Sequence, residues 1–143
     1  LLDKWFGNAD RLHIDSWVEI NYVDGYKVSL LSKKNISKNK LFFINLGGYD
    51  ENKFEELHES EFLVGDKKIE IKKRAKETLM KVLDQVHTDD LYDVDDCIEI
   101  NKVSDYFINL KKEKNKSENL KFNNGYHPIP KKIIEKYKSL INN

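Results

Sequence analysis

Cysteine is almost absent from this chain. Cys97 stands alone, so no internal disulfide can form and nothing points to an oxidising compartment. It sits in an alternating apolar run, where a small buried hydrophobe is expected rather than a nucleophile. No apolar run is long enough to span a membrane, and no signal-peptide pattern is visible. Net charge is absent as well: 25 Lys and Arg balance 25 Asp and Glu, which argues against a globally basic nucleic-acid footprint. Several reaction signatures are missing too. There is no Gly-x-Ser-x-Gly elbow to expose a serine nucleophile. No H-E-x-x-H places two imidazoles on one helix face, and Gly47-Gly48 lacks the further residues of a phosphate loop. The only methionine is Met80, and the chain opens Leu1-Leu2-Asp3.

What is present is an internal duplication. Ile14–Leu30 recurs, shifted by 80 positions, as Val94–Leu110, with seven of 17 positions identical. These are Asp15/Asp95, Glu19/Glu99, Ile20/Ile100, Asn21/Asn101, Val23/Val103, Tyr26/Tyr106 and Leu30/Leu110. Self-similarity of this kind takes precedence over other readings of a chain. Each copy has the pattern of a β-hairpin. Trp17–Val23 is β-branched and aromatic, Asp24-Gly25 is a favoured tight turn, and Tyr26–Leu31 returns. In the second copy Ser104-Asp105 is a poorer pair, and a looser turn is expected. Tyr26 and Tyr106 open the return strands as cross-strand packing anchors.

A longer unit precedes the second hairpin. Leu41–Leu46 is a strongly apolar strand, and Gly47-Gly48 offers a change of direction after it. Glu61–Val64 is a short strand. Lys67–Asp84 reads as an amphipathic helix, with Ile71, Ala75, Leu79 and Val82 at helical spacing. Leu1-Leu2-Asp3 resembles Val82-Leu83-Asp84 at the end of that helix. The expected division is therefore a truncated first repeat unit at 1–31, a complete second unit at 41–110, and a C-terminal strand and helix at 118–143. Pro130 starts that last helix, at the position proline tolerates best. The expected fold is α+β: a mainly antiparallel sheet with helices on one side, in two related units with pseudo-twofold symmetry. A truncated first unit would expose an apolar edge near Trp5, Phe6 and Trp17, through which the chain would self-associate.

Charge is locally uneven. Asp84–Asp105 carries eight acids and one lysine, while Lys111–Asn143 carries nine lysines and three glutamates. A solvated acidic loop and a basic tail account for this; an acidic face for a cation or basic partner is the sharper alternative.

The strings L-H-I-D-S-W at Leu12–Trp17, V-D-G-Y at Val23–Tyr26, F-F-I-N-L-G-G-Y at Phe42–Tyr49 and E-L-H-E at Glu56–Glu59, with Val94-Asp95-Asp96, resemble the DUF1543 family. The resemblance covers most of residues 5–110. It implies a small cytoplasmic bacterial protein, in a family whose domain occurs once or twice per chain. It supplies no activity, cofactor or catalytic residue.

Candidate sites come from the residues alone. His13-Ile14-Asp15 precedes the first hairpin and His87-Thr88-Asp89 the second. In an extended segment residues i and i+2 share a side, so each pair could present an imidazole and a carboxylate to one metal. A local His hydrogen bond and an Asp-capped turn explain the same pattern. His58, with Glu59 and Glu56 beside it, could act as an acid or base, or simply be a surface histidine. No cofactor is specified. Two functions remain open: a non-catalytic binding or interaction module, and a small-molecule enzyme or metal-binding protein using the His-x-Asp segments.

Overall fold

The computed structural model describes residues 11–34, 37–49, 52–79, 96–113, 116 and 119–141. The order of elements among them is β1 (His13–Val18), β2 (Tyr22–Val23), β3 (Tyr26–Leu31), β4 (Lys40–Tyr49), β5 (Glu56–Gly65), α1 (Lys68–Leu79), β6 (Asp96–Ile100), β7 (Lys102–Val103), β8 (Tyr106–Lys112), β9 (Phe122–Pro128) and α2 (Lys131–Ile141). Every strand pairing among the described residues is antiparallel, so the chain is α+β, with two helices among the described residues.

The hairpins form where the turn chemistry predicts. Asp24 and Gly25 both lie at positive φ, 52° and 75°, the conformation a two-residue loop needs to match strand twist. Ser104 sits at the same φ of 52° without a glycine after it. The second turn is nonetheless closed in the same way. The Ile108 amide donates to the Asn101 carbonyl at 3.0 Å, and the Val28 amide to the Asn21 carbonyl at 2.8 Å. These are the same two positions in each copy.

The chain divides into two compact units, Ile20–Glu118 and a terminal unit made from Leu1–Glu19 with Asn119–Asn143. The middle unit holds two sheets, ordered β2-β3-β8-β7 and β5-β4-β6. In the first sheet the two hairpins meet along β3 and β8. Ser29 faces Asn109, its own counterpart in the repeat; Val28 faces Leu110 and Leu30 faces Ile108. The Asn109 side-chain amide donates to Ser29 Oγ at 3.0 Å.

Alternation along β4 builds two cores. Phe42, Ile44 and Leu46 point one way and join Leu63, Cys97, Ile71 and Ala75, all buried. Ile71 and Ala75 are one helical turn apart on α1, so they press the same stripe onto the sheet. Leu41 belongs to the other core, with Val23, Val64 and Leu110, flanked by Tyr26, Val28, Phe62, Ile100 and Ile108. Gly65 ends β5 where α1 begins. A Cβ there would lie 2.7 Å from Ile71 Cδ1, so any larger residue would force the buried Ile71 side chain to shift.

In the terminal unit β1 pairs with β9, with an irregularity in register between Ile14 and Ser16. The Ile129 amide donates to the Leu12 carbonyl at 2.8 Å, and α2 follows Pro130. Leu12 and Ile134 are buried.

Three local expectations need correction. Trp17–Val23 is not one strand: it is broken between Val18 and Tyr22, because β1 pairs with β9 while β2 pairs with β3. The short strand at Glu61–Val64 is ten residues long, Glu56–Gly65, because β4 runs on past Leu46 to pair with its first half. Gly47-Gly48 therefore does not turn the chain. Both continue β4, opposite His58 and Leu57, and neither has positive φ. The N-terminal segment expected to echo a helix end, with Trp5 and Phe6, lies outside the described residues, as does the part of the expected Lys67–Asp84 helix that follows Leu79.

Candidate functional site

β1 carries the first His-x-Asp pair. His13 Nε2 lies 3.1 Å from Asp15 Oδ1, and its ring packs at 4.6 Å between centroids against Tyr126 of β9. The register irregularity falls at Asp15, whose side chain is 84% exposed. His87 and Asp89 lie outside the described residues. His58 and Glu59 are exposed neighbours on β5, so their side chains leave opposite faces of the strand. Among the described residues no three His, Cys, Asp or Glu side chains are grouped to hold a metal. Cys97 is buried, and burial pushes its thiol above the ordinary range, opposed by Lys68 and Lys72.

A cavity of about 570 Å³ lies in the middle unit at the start of β4, the end of β6 and the middle of β8. Its apolar wall is Leu41, Ile100, Phe107, Ile108 and Leu110. Its polar rim is Lys34, Ser37, Asn39, Lys40, Glu99 and Asn101. The volume falls within the range of small-molecule sites, and the cavity is widely open to solvent. Lys40 Nζ donates to Glu99 Oε2 at 2.8 Å. That hydrogen bond is the main reason the Glu99 carboxyl is held below its ordinary pKa, with Asn101 and Lys34 adding to it. The Asn39 side-chain amide donates to the Tyr26 hydroxyl at 2.9 Å. Four of the seven positions identical between the repeat copies line this cavity in their second-copy form: Glu99, Ile100, Asn101 and Leu110.

A second polar cluster lies at the turn of the first hairpin. The Val64 amide donates to Asp24 Oδ2 at 2.6 Å. Val64 is on β5, an edge strand of its sheet, so this carboxylate accepts an edge N–H. Arg74 of α1 also donates to Asp24 Oδ2, and to the Val64 carbonyl at 3.2 Å. Glu61 is held above its ordinary pKa, first by burial and then by Asp24, with Arg74 opposing. Nothing in the sequence marks this cluster: Asp24 reads there only as a turn residue.

An α+β chain with antiparallel sheets is thus the class the described fold defines. The chain belongs to the DUF1543 family (Domain of Unknown Function), which matches residues 1–30 and 53–110. No curated protein matches it. Among solved structures it is similar to one titled "Crystal structure of a protein Il1583 from Idiomarina loihiensis", at 24% identity and a TM-score of 0.60. That likeness covers 90% of this chain and 72% of the other, and carries the fold alone. No described helix is long and apolar enough to cross a membrane.

Proposed function

We propose that this chain is a non-catalytic binding module, and that its ligand is a small molecule seated in the cavity between β4, β6 and β8. The observation that carries this is the overlap between repeat identity and cavity lining. The string Glu99-Ile100-Asn101 repeats Glu19-Ile20-Asn21, and Leu110 repeats Leu30; all four second-copy residues line the cavity. Strand packing alone accounts for an apolar Ile100 and Leu110. The Asn101 carbonyl closes its hairpin as that of Asn21 does, but neither role calls for the glutamate that Lys40 holds at the cavity rim.

The two hairpins belong, in this reading, to one pseudo-twofold arrangement about the Ser29–Asn109 pair, in a cytoplasmic bacterial protein that self-associates. The test of the cavity is direct. With 1-naphthol as a neutral aromatic probe, methyl NMR signals of Leu41, Ile100, Ile108 and Leu110 are expected to shift together and saturably. Shifts scattered elsewhere, with these four unmoved, would overturn the proposal.

The contact between His13 and Asp15 beside Tyr126 supports a second reading, an enzyme or metal protein. Zinc titration followed by His13 ring signals tests it; unchanged signals at millimolar zinc remove the metal version.

A further inference from the structure

The rim charge of the cavity assigns the ligand's chemistry, and this rests on the binding reading above. Two lysines, Lys34 and Lys40, stand against one carboxylate, Glu99. That carboxylate is already engaged: Lys40 holds it at 2.8 Å, and Asn101 also hydrogen-bonds it. The rim therefore carries one positive charge more than its acid can match. The remaining polar groups, Ser37, Asn39 and Asn101, are neutral and can donate hydrogen bonds. Behind the rim the wall is wholly apolar, with Phe107 as its aromatic member.

We propose that the cavity takes an amphipathic monoanion: an apolar or aromatic body against Ile100, Phe107 and Ile108, and a carboxylate at Lys34 and Lys40. A cationic ligand would have to displace Lys40 from Glu99 and face Lys34 besides. A neutral one would leave the excess charge to water. An anion accepts from both lysines without disturbing the Lys40–Glu99 bond, since an ammonium has three donors. Charge-assisted hydrogen bonds of this kind are the stronger ones.

The experiment compares three molecules with one body: 1-naphthoate, 1-naphthylmethanol and 1-naphthylmethylamine. Each is titrated at pH 7 into the full chain, with cavity methyl signals followed by NMR. Naphthoate is expected to bind at least about fivefold tighter than the alcohol, and the amine weakest; fivefold corresponds to roughly 1 kcal/mol. Lys34→Gln is expected to remove most of the naphthoate advantage and leave the alcohol unchanged. Lys34 is exposed, so the variant tests charge and not folding, and the alcohol titration monitors the intact cavity. Equal binding of all three molecules overturns the anion inference while leaving the cavity as a binding site. Preference for the amine overturns it likewise. Binding of none of them at the cavity methyls overturns the binding reading itself, and the inference with it.

Discussion

Asp24→Asn isolates the charge of one carboxylate with little change in shape. Asn adopts the left-handed conformation at least as readily as Asp, so the turn at φ 52° is kept. What is lost is the negative charge that receives the Val64 amide and the Arg74 guanidinium. A hydrogen bond to a charged group contributes about 1.5–3 kcal/mol net, while a largely exposed ion pair contributes about 0–1 kcal/mol. Arg74 is 43% exposed and Asp24 33%, so most of the loss resides in the Val64 bond. An offset comes from Glu61, which Asp24 repels. The expected net cost is therefore about 1–2 kcal/mol. It is read from the urea midpoint at pH 7 with an unchanged m-value. A double-mutant cycle with Arg74→Met is expected to return a coupling of about 0.5–1 kcal/mol. An Asp24→Asn variant within about 0.3 kcal/mol of the parent, or a coupling indistinguishable from zero, refutes this account of the turn.

Other outcomes follow from the same structure. Ile44 is 0% exposed, so Ile44→Ala should cost about 2–5 kcal/mol, whereas Leu31→Ala, at 42% exposed, should stay within about 0.5 kcal/mol; the same urea titration separates them. Gly65→Ala places a methyl 2.7 Å from buried Ile71 and should cost about 1–3 kcal/mol by overpacking, read as a lower melting temperature. Glu61 and Glu99 should have opposite pH signatures. A carboxyl raised by burial costs stability as pH climbs past its unfolded value, so Glu61→Gln should stabilise at pH 7 and be neutral near pH 3. A carboxyl lowered by Lys40 contributes stability that is lost as pH falls through its folded value, so Glu99→Gln should destabilise at pH 7 by less than about 1 kcal/mol and converge with the parent in acid. Cys97, buried with its thiol pushed up, should react with a thiol reagent only at the rate of unfolding in native buffer.

The hairpins and α1 were legible in the sequence because their signals are local. Asp24-Gly25 specifies a turn by itself, and Ile71 with Ala75 specifies a helix stripe. β5 was only half legible. Glu56-Leu57-His58-Glu59-Ser60-Glu61 is too polar to read as a strand, and it becomes one because β4 continues opposite it. The break after Val18 was illegible for a similar reason. The apolar pattern runs on to Val23, but β1 pairs with β9, more than a hundred residues away. At the cavity, the repeat marked Glu99, Ile100, Asn101 and Leu110 without revealing that they share a wall. Lys34 and Lys40 carried no signal, because lysines in a linker look like any solvated lysines. The Asp24 cluster joins residues 40 and 50 positions apart, a distance no local pattern spans.

The register between β3 and β8 has a consequence for how such a sheet can be assembled. Exchanging the copies leaves it unchanged: Val28 opposite Leu110 becomes Leu30 opposite Ile108, with Ser29 and Asn109 at the centre. Under the proposed pseudo-twofold arrangement, that register is an isologous contact, in which one surface serves as its own partner. Two separate chains, each carrying one hairpin, could close the same four-stranded sheet across a dimer axis. They would meet serine to serine or asparagine to asparagine at its midpoint. Joining the copies in one polypeptide converts that encounter from one governed by concentration to one governed by the intervening chain, and it frees the two central positions to differ.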